Sequence, residues 1–308
     1  MVVIFRPRCV HRHPRIVPRS GVHLASVLAV FMGVASSALG QQPGAAQSPD
    51  SARTPVSAVA DTRAVQPERP TVATHAYTVA PGYVEVETGV QEAQPRDSMQ
   101  FIAPMVVKIG ILSRLQLELQ SGYTRTTASG AATAGDDDIA VALKQRVLDA
   151  APIVHDFSIQ GAIKFPTGAR DVGTGTTDLS LLLISSRPIG AAELDLNIGY
   201  THRSGNGTTT LTSATLLTAS FGTPLYGLLS GVAELFSYPG TGGSQGTPPS
   251  VGFLVGPTLQ LRPWLVLDAG AIFNVQHMGA NAVYAGVTYN VGRIPGFPTT
   301  ARAARPSP

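Results

Sequence analysis

The sequence predicts an all-β protein, a closed antiparallel transmembrane β-barrel of about 12 strands with long extracellular loops and short periplasmic turns. Three observations predict it. Apolar and polar residues alternate with period two through most of the chain after residue 83. The connections between these segments alternate between long and short. The composition is also apolar for a soluble domain: of 308 residues 44% are hydrophobic and 13% charged, against about 25% charged in an ordinary soluble protein.

The alternation is clearest in three stretches. Leu115, Leu117 and Leu119 interleave with Gln116, Glu118 and Gln120. Phe157, Ile159 and Ile163 interleave with Ser158, Gln160 and Lys164, and Leu194, Leu196 and Ile198 with Glu193, Asp195 and Asn197. A helix would spread both sets around its circumference, whereas a strand sends them to opposite faces. Twelve segments follow this pattern, at 83–90, 100–110, 114–124, 138–148, 155–165, 177–186, 192–201, 210–221, 226–237, 250–261, 264–274 and 282–291. Most have the length that a tilted strand needs to cross a bilayer.

Between them the odd-numbered connections are long: 91–99, 125–137, 166–176, 202–209, 238–249 and 275–281. The even-numbered ones are short, such as Arg187-Pro188-Ile189-Gly190, Gly222-Thr223-Pro224 and Arg262-Pro263. Tight turns at one end and long loops at the other are the pattern of outer-membrane barrels. An even strand number places both chain ends on the periplasmic side.

One face of the segments is apolar (Met105, Leu117, Leu143, Ile159, Leu181, Leu196, Val255 and Leu267 among others) and is assigned to lipid. The opposite face carries Lys108, Glu118, Lys144, Arg146, Lys164, Asp178, Glu193, Asp195 and Asp268, with Glu85, Glu87, Glu234 and Asn290. A basic residue on the lipid face at mid-bilayer costs roughly 2–4 kcal/mol, so these charges belong inside. They are the lumen-lining candidates for solute selection, because rings of charge tune passage through pores. Pairing that stiffens the wall is the competing role. Leu182, Ile184, Leu228, Leu254 and Trp264 are read as apolar lumen positions, and Trp264 and the tyrosines as a belt at the membrane interfaces. A twelve-strand barrel is too wide for its wall side chains to fill, so a lumen is expected, open to narrowing by loops or by the N-terminal segment.

The ends are different. Residues 1–40 read as a secretory signal: Arg6 to Arg19 form a basic stretch, 22–34 an apolar run, and Ala38-Leu39-Gly40 a small-residue cleavage site. The one cysteine, Cys9, lies in this segment, which excludes a disulfide framework or a Cys-based metal site. Residues 41–82, rich in Ala, Pro, Gln and Thr without a period, read as a disordered periplasmic linker. Residues 83–291 form the barrel, and 292–308 a flexible C-terminal tail.

Smaller motifs add little chemistry. Asp136-Asp137-Asp138 lacks the spacing of a calcium loop and is taken as a solvated loop end. Gly173-Thr174-Gly175 is too short for a phosphate loop and is taken as an extracellular turn. His202, near Ser204 on the lipid parity, lacks a recognisable base or orienting partner and is taken as a rim histidine. No catalytic residue, metal site or cofactor is predicted, and no nucleic-acid partner.

Several stretches resemble one family. Lys108-Ile109-Gly110-Ile111-Leu112-Ser113-Arg114-Leu115-Gln116-Leu117 is similar to its strand–turn–strand, Gly135-Asp136-Asp137-Asp138-Ile139-Ala140-Val141-Ala142-Leu143-Lys144 to a following segment, Phe165-Pro166-Thr167-Gly168 to a strand end, and 282–290 to its closing strand. The family is the outer-membrane barrels labelled "Putative MetA-pathway of phenol degradation", or transporter. The resemblance implies a channel or transporter in the cell outer membrane for passive uptake of small, aromatic or hydrophobic solutes, rather than an enzyme. Its partners would be outer-membrane lipid, the solute and the barrel assembly machinery. Two alternatives stay open: a non-conducting structural or adhesive barrel, and an outer-membrane lipid hydrolase. Barrels of this kind end on an aromatic residue just after the last strand, whereas here residues 293–308 follow.

Overall fold

A computed structural model of the chain describes residues 63–95, 97–203, 213–239, 250–275 and 280–297. The segment read as a secretory signal (1–40), residues 41–62, Ser204, His277 and the last eleven residues lie outside the described part. The described residues hold thirteen strands and no helix: β1 (Tyr83–Gln94), β2 (Ser98–Leu112), β3 (Leu115–Ala128), β4 (Ala131–Asp136), β5 (Ile139–Ala151), β6 (His155–Phe165), β7 (Asp178–Ile189), β8 (Ala192–Arg203), β9 (Ser213–Tyr226), β10 (Leu229–Tyr238), β11 (Ser250–Arg262), β12 (Leu265–Asn274) and β13 (Asn281–Arg293). Twelve of them close into an antiparallel barrel. β1 pairs with both β2 and β13, β2 with β3, and β3 with β5, after which neighbours follow in chain order to β13. Closure gives every wall strand a partner on each side, which is the condition for a sheet in hydrocarbon.

Each of the twelve expected segments overlaps a strand of the ring, and β6 matches the expected bounds to the residue. Differences fall at the ends. The long connection expected at 91–99 shrinks to 95–97, because the strands run on in register from Gln91↔Ile102 to Ala93↔Gln100. β9 extends to Tyr226, so the turn lies at Gly227 and Leu228, where Gly227 has φ 57°. β4 was expected to be loop. Its Ala-Ala-Thr-Ala-Gly carries no apolar alternation, and it pairs through its backbone with the far half of β3, from Tyr123↔Asp136 to Ala128↔Ala131.

Alternation sorts the wall as expected. Leu143, Leu181, Leu196, Val255 and Val283 point outward and are exposed, while Glu85, Lys108, Glu118, Lys144, Glu234 and Asn290 on the opposite parity are fully buried. Thirty-odd large apolar side chains exposed on one surface would be an aggregation hazard in water and are what a lipid-facing wall requires.

The barrel interior is occupied. The disordered linker expected over 41–82 is corrected for residues 63–82, which enter and line the lumen. Val72, Ala73, Ala76 and Val79 are at most 1% exposed. The segment starts at the short-turn end, where Val65 N–H donates to Pro263 O at 2.8 Å. It reaches β8 and β10 and returns to the same end, where Gly82 N–H donates to Gly110 O at 2.7 Å before β1 begins. The backbone comes so close to the wall there that a Cβ on Gly110 would sit 2.2 Å from Ala80 O. The expected tail from 292 is also shorter, since β13 runs to Arg293 and Ile294 N–H donates to Gly82 O at 2.8 Å.

Candidate functional site: a filled lumen

The segment is held mainly by its main chain. A polypeptide without a regular partner strand carries bare N–H groups, which are costly to bury unpaired. Here the side chains of the wall supply the acceptors. Glu85 accepts from Gln66 N–H at 2.9 Å, and the two oxygens of Glu87 accept from Glu68 and Arg69 N–H at 2.8 and 3.1 Å. Glu234 spans Val72 and Ala73 N–H at 2.7 and 2.6 Å. Asn197 pairs with Thr74 in both directions, at 2.7 and 2.8 Å. Ser186 and Gln116 take Ala76 and Val79 N–H at 2.7 and 2.8 Å.

Charges are exchanged as well. Lys144 pairs with Glu68 of the segment and also donates to His75 O at 3.2 Å. Lys108 bridges Glu87 and Glu85, the latter at 2.6 Å, and donates to Gln66 O. Arg69 reaches Asp268 at 3.4 Å. Burial alone would raise the Glu68 carboxyl, but Lys144 and then Lys108 hold it well below the usual range. Burial, with Lys144 next, pulls the His75 imidazole down to about 3.

Among the candidates named from sequence, Lys108, Glu118, Lys144 and Asp268 sit around the segment. Glu118 accepts one bond each from the amides of Gln116, Gln120 and Gln160, all at 2.9 Å. Toward the short-turn end, Tyr77 OH donates to Glu193 at 3.0 Å, Asp195 accepts from Ser186, and Arg146 pairs with Asp156 at 2.9 Å and stacks 5.1 Å from the Tyr77 ring. Lys164 and Asp178 are elsewhere, at the long-loop end. Lys164 pairs there with Asp138 at 2.9 Å and Asp178 at 3.2 Å, and Arg203 reaches Asp178 at 3.5 Å.

Four local expectations change. Asp137 and Asp138 are buried, not a solvated loop end: Asp138 accepts Gly168 and Thr174 N–H at 2.9 Å and so ties down the 166–177 connection. Leu228 is 57% exposed in a turn rather than in the lumen. Trp264 also sits in a turn, edge-on to Tyr289 with 5.6 Å between centroids and beneath Arg63 at 5.3 Å. Tyr284, expected in an interfacial belt, is buried inside with Val72, Phe236, Leu254 and Ile272. His202 is exposed on the outer face as expected, and its proposed neighbour Ser204 is outside the described residues.

Sequence reasoning missed the whole set of segment contacts. Glu68, Arg69, Asn197, Ser186 and Gln116 follow no motif. One signal was present: residues 71–80 (Thr-Val-Ala-Thr-His-Ala-Tyr-Thr-Val-Ala) lack proline and are rich in β-branched residues, unlike 41–70.

Fold and lumen together define an outer-membrane β-barrel. The family model described as "Putative MetA-pathway of phenol degradation" matches residues 68–291, and the chain belongs to that family. The match begins fifteen residues before β1, so it includes most of the lumen segment. Among solved structures, the COG4313 outer membrane channel from Pseudomonas putida F1 is similar with a TM-score of 0.58 at 12% identity, over 70% of this chain and 97% of that one. The KdgM porin in complex with disordered oligogalacturonate gives 0.43 at 10%, over 66% and 98%. The translocator domain of the autotransporter NalP from Neisseria meningitidis gives 0.41 at 14%, over 67% and 88%. No curated protein sequence matches.

Proposed function

We propose that the protein is an outer-membrane channel for passive passage of small, aromatic or hydrophobic solutes. The observation that carries it is a wide barrel whose interior is filled by a short hydrogen-bonded segment rather than by the wall itself. A purely structural barrel gains nothing from an interior of twelve strands that then needs filling. The similarity to a structure described as an outer membrane channel supports the conducting role. The family description supports aromatic solutes, as does the apolar cluster of Phe236, Leu254, Ile272 and Tyr284 within the lumen.

The test is the mature protein in planar bilayers, with aromatic and aliphatic compounds added as blockers. Stepwise currents that apolar aromatics reduce are expected. Absence of steps at every voltage would leave the non-conducting barrel as the better description. A lipid hydrolysis assay on a His202→Ala variant addresses the hydrolase alternative, which requires a measurable rate that the substitution abolishes.

A further inference from the structure

Three of the wall acids flank a pair of glycines. Glu85 and Glu87 lie on β1 and Asp268 on β12, with β13 between them. Gly89 of β1 and Gly286 of β13 are directly paired. The Arg69 guanidinium lies on both: a Cβ on Gly89 would be 2.7 Å from Arg69 Nη2, and one on Gly286 would be 2.5 Å from Nε. Any larger residue at either position would displace it. Asp268 closes the notch from β12. Its side chain is 1% exposed, one oxygen reaches Arg69 at a long 3.4 Å, and the other has no hydrogen-bond partner among the described residues. A buried carboxylate with an unused oxygen beside a glycine pair that leaves room for a planar group can take more positive charge than it holds.

The balance of charge agrees. Around the mid-lumen the wall presents Glu85, Glu87, Glu118, Glu234 and Asp268 against Lys108 and Lys144. Glu234, which faces no wall cation within salt-bridge distance among the described residues, satisfies itself on two N–H groups of the segment. Without the segment, these carboxylates would lose its N–H donors and Arg69 and would need a replacement.

We propose that this notch is a binding site for a small organic cation, an amine or a guanidine, and that Arg69 with the backbone of residues 66–73 occupies it as an internal substitute. This rests on the channel reading and narrows its aromatic solutes to those that carry an amine or a guanidine. Gly89, Gly286 and Asp268 form the site for the planar head, and Glu87 and Glu234 extend it along the lumen.

The test uses the full mature chain in planar bilayers under a KCl gradient. The reversal potential reports a preference for K⁺ over Cl⁻, and Asp268→Asn moves it toward zero. Arg69→Ala vacates the notch, so millimolar guanidinium blocks its current while sodium at the same concentration does not. Asp268→Asn added to Arg69→Ala removes that block. Circular dichroism confirms that each variant keeps its β-sheet. A current that prefers anions, or a guanidinium block indifferent to Asp268, overturns the cation site and leaves the channel standing. Folded protein with no current in any variant overturns both.

Discussion

His75 is a neutral imidazole enclosed with Lys144, Glu68 and Lys108. In a withdrawn segment it would titrate near 6.5, whereas burial first and Lys144 second bring it to about 3 when docked. Between those values the withdrawn form binds a proton that the docked form excludes. Docking is therefore fully favoured above 6.5 and weakens as pH falls toward about 3. The chain has one tryptophan, Trp264, and Arg63 stacks on it where the segment enters, so its fluorescence reports docking. Acidification is expected to change that emission starting near pH 6.5, and His75→Asn is expected to move the onset lower. An onset that the substitution leaves in place would assign the change to other groups. Glu118 behaves differently at this scale: three glutamine amides satisfy it, so it is held by neutral donors rather than by a single cation.

At the scale of the element, two kinds of segment share the barrel and obey different rules. A wall strand is specified by its two faces. Leu183 of β7 is exposed on the lipid side, while its neighbours Leu182 and Ile184 are buried inside. Leu183→Arg is expected to cost roughly 2–4 kcal/mol of bilayer stability, measured by urea unfolding in lipid vesicles. A cost near zero would place that face in water. The lumen segment has no such alternation, because side chains of the wall rather than a neighbouring strand bond its backbone. That is why its sequence reads as a linker although its N–H groups at Gln66, Glu68, Arg69, Val72, Ala73, Thr74, Ala76 and Val79 each find an acceptor. Hydrogen bonds to charged acceptors contribute about 1.5–3 kcal/mol each, so the carboxylate contacts at Glu85, Glu87 and Glu234 dominate its retention.

For the whole molecule, the proposed channel reading links passage to the position of residues 63–82. The backbone N–H of Ala76 lies 2.7 Å from Ser186 Oγ, which places these two positions for a tether. The sole natural cysteine is Cys9, ahead of the cleavage site expected before Gln41. In an Ala76→Cys, Ser186→Cys variant, oxidation is expected to abolish conductance steps and a reductant to restore them. Steps that persist in the oxidised form would mean that solute passes beside a docked segment. The lumen acids hold the segment, and on the proposed channel reading they would also face the solute.

The sequence by itself determined the wall. Period-two alternation is a local property of each strand, and the cost of charge in lipid permits one inside-out assignment, so the number of wall strands, their faces and most of the alternation of turns with loops were legible at residues such as Leu117, Glu118, Leu181 and Lys144, the tight connection at 95–97 being the exception. Tertiary structure alone decided what fills the interior. The partners of Glu234 and Asp268 lie about 160 and 200 residues away, across a barrel that exists only once it has closed. β4 likewise pairs by backbone alone, and Asp137 and Asp138 become buried only when the 166–177 connection folds onto them. A carboxylate that accepts from a main-chain N–H places no demand on the side chain of the donor residue, so the segment's own sequence carries little trace of where it binds.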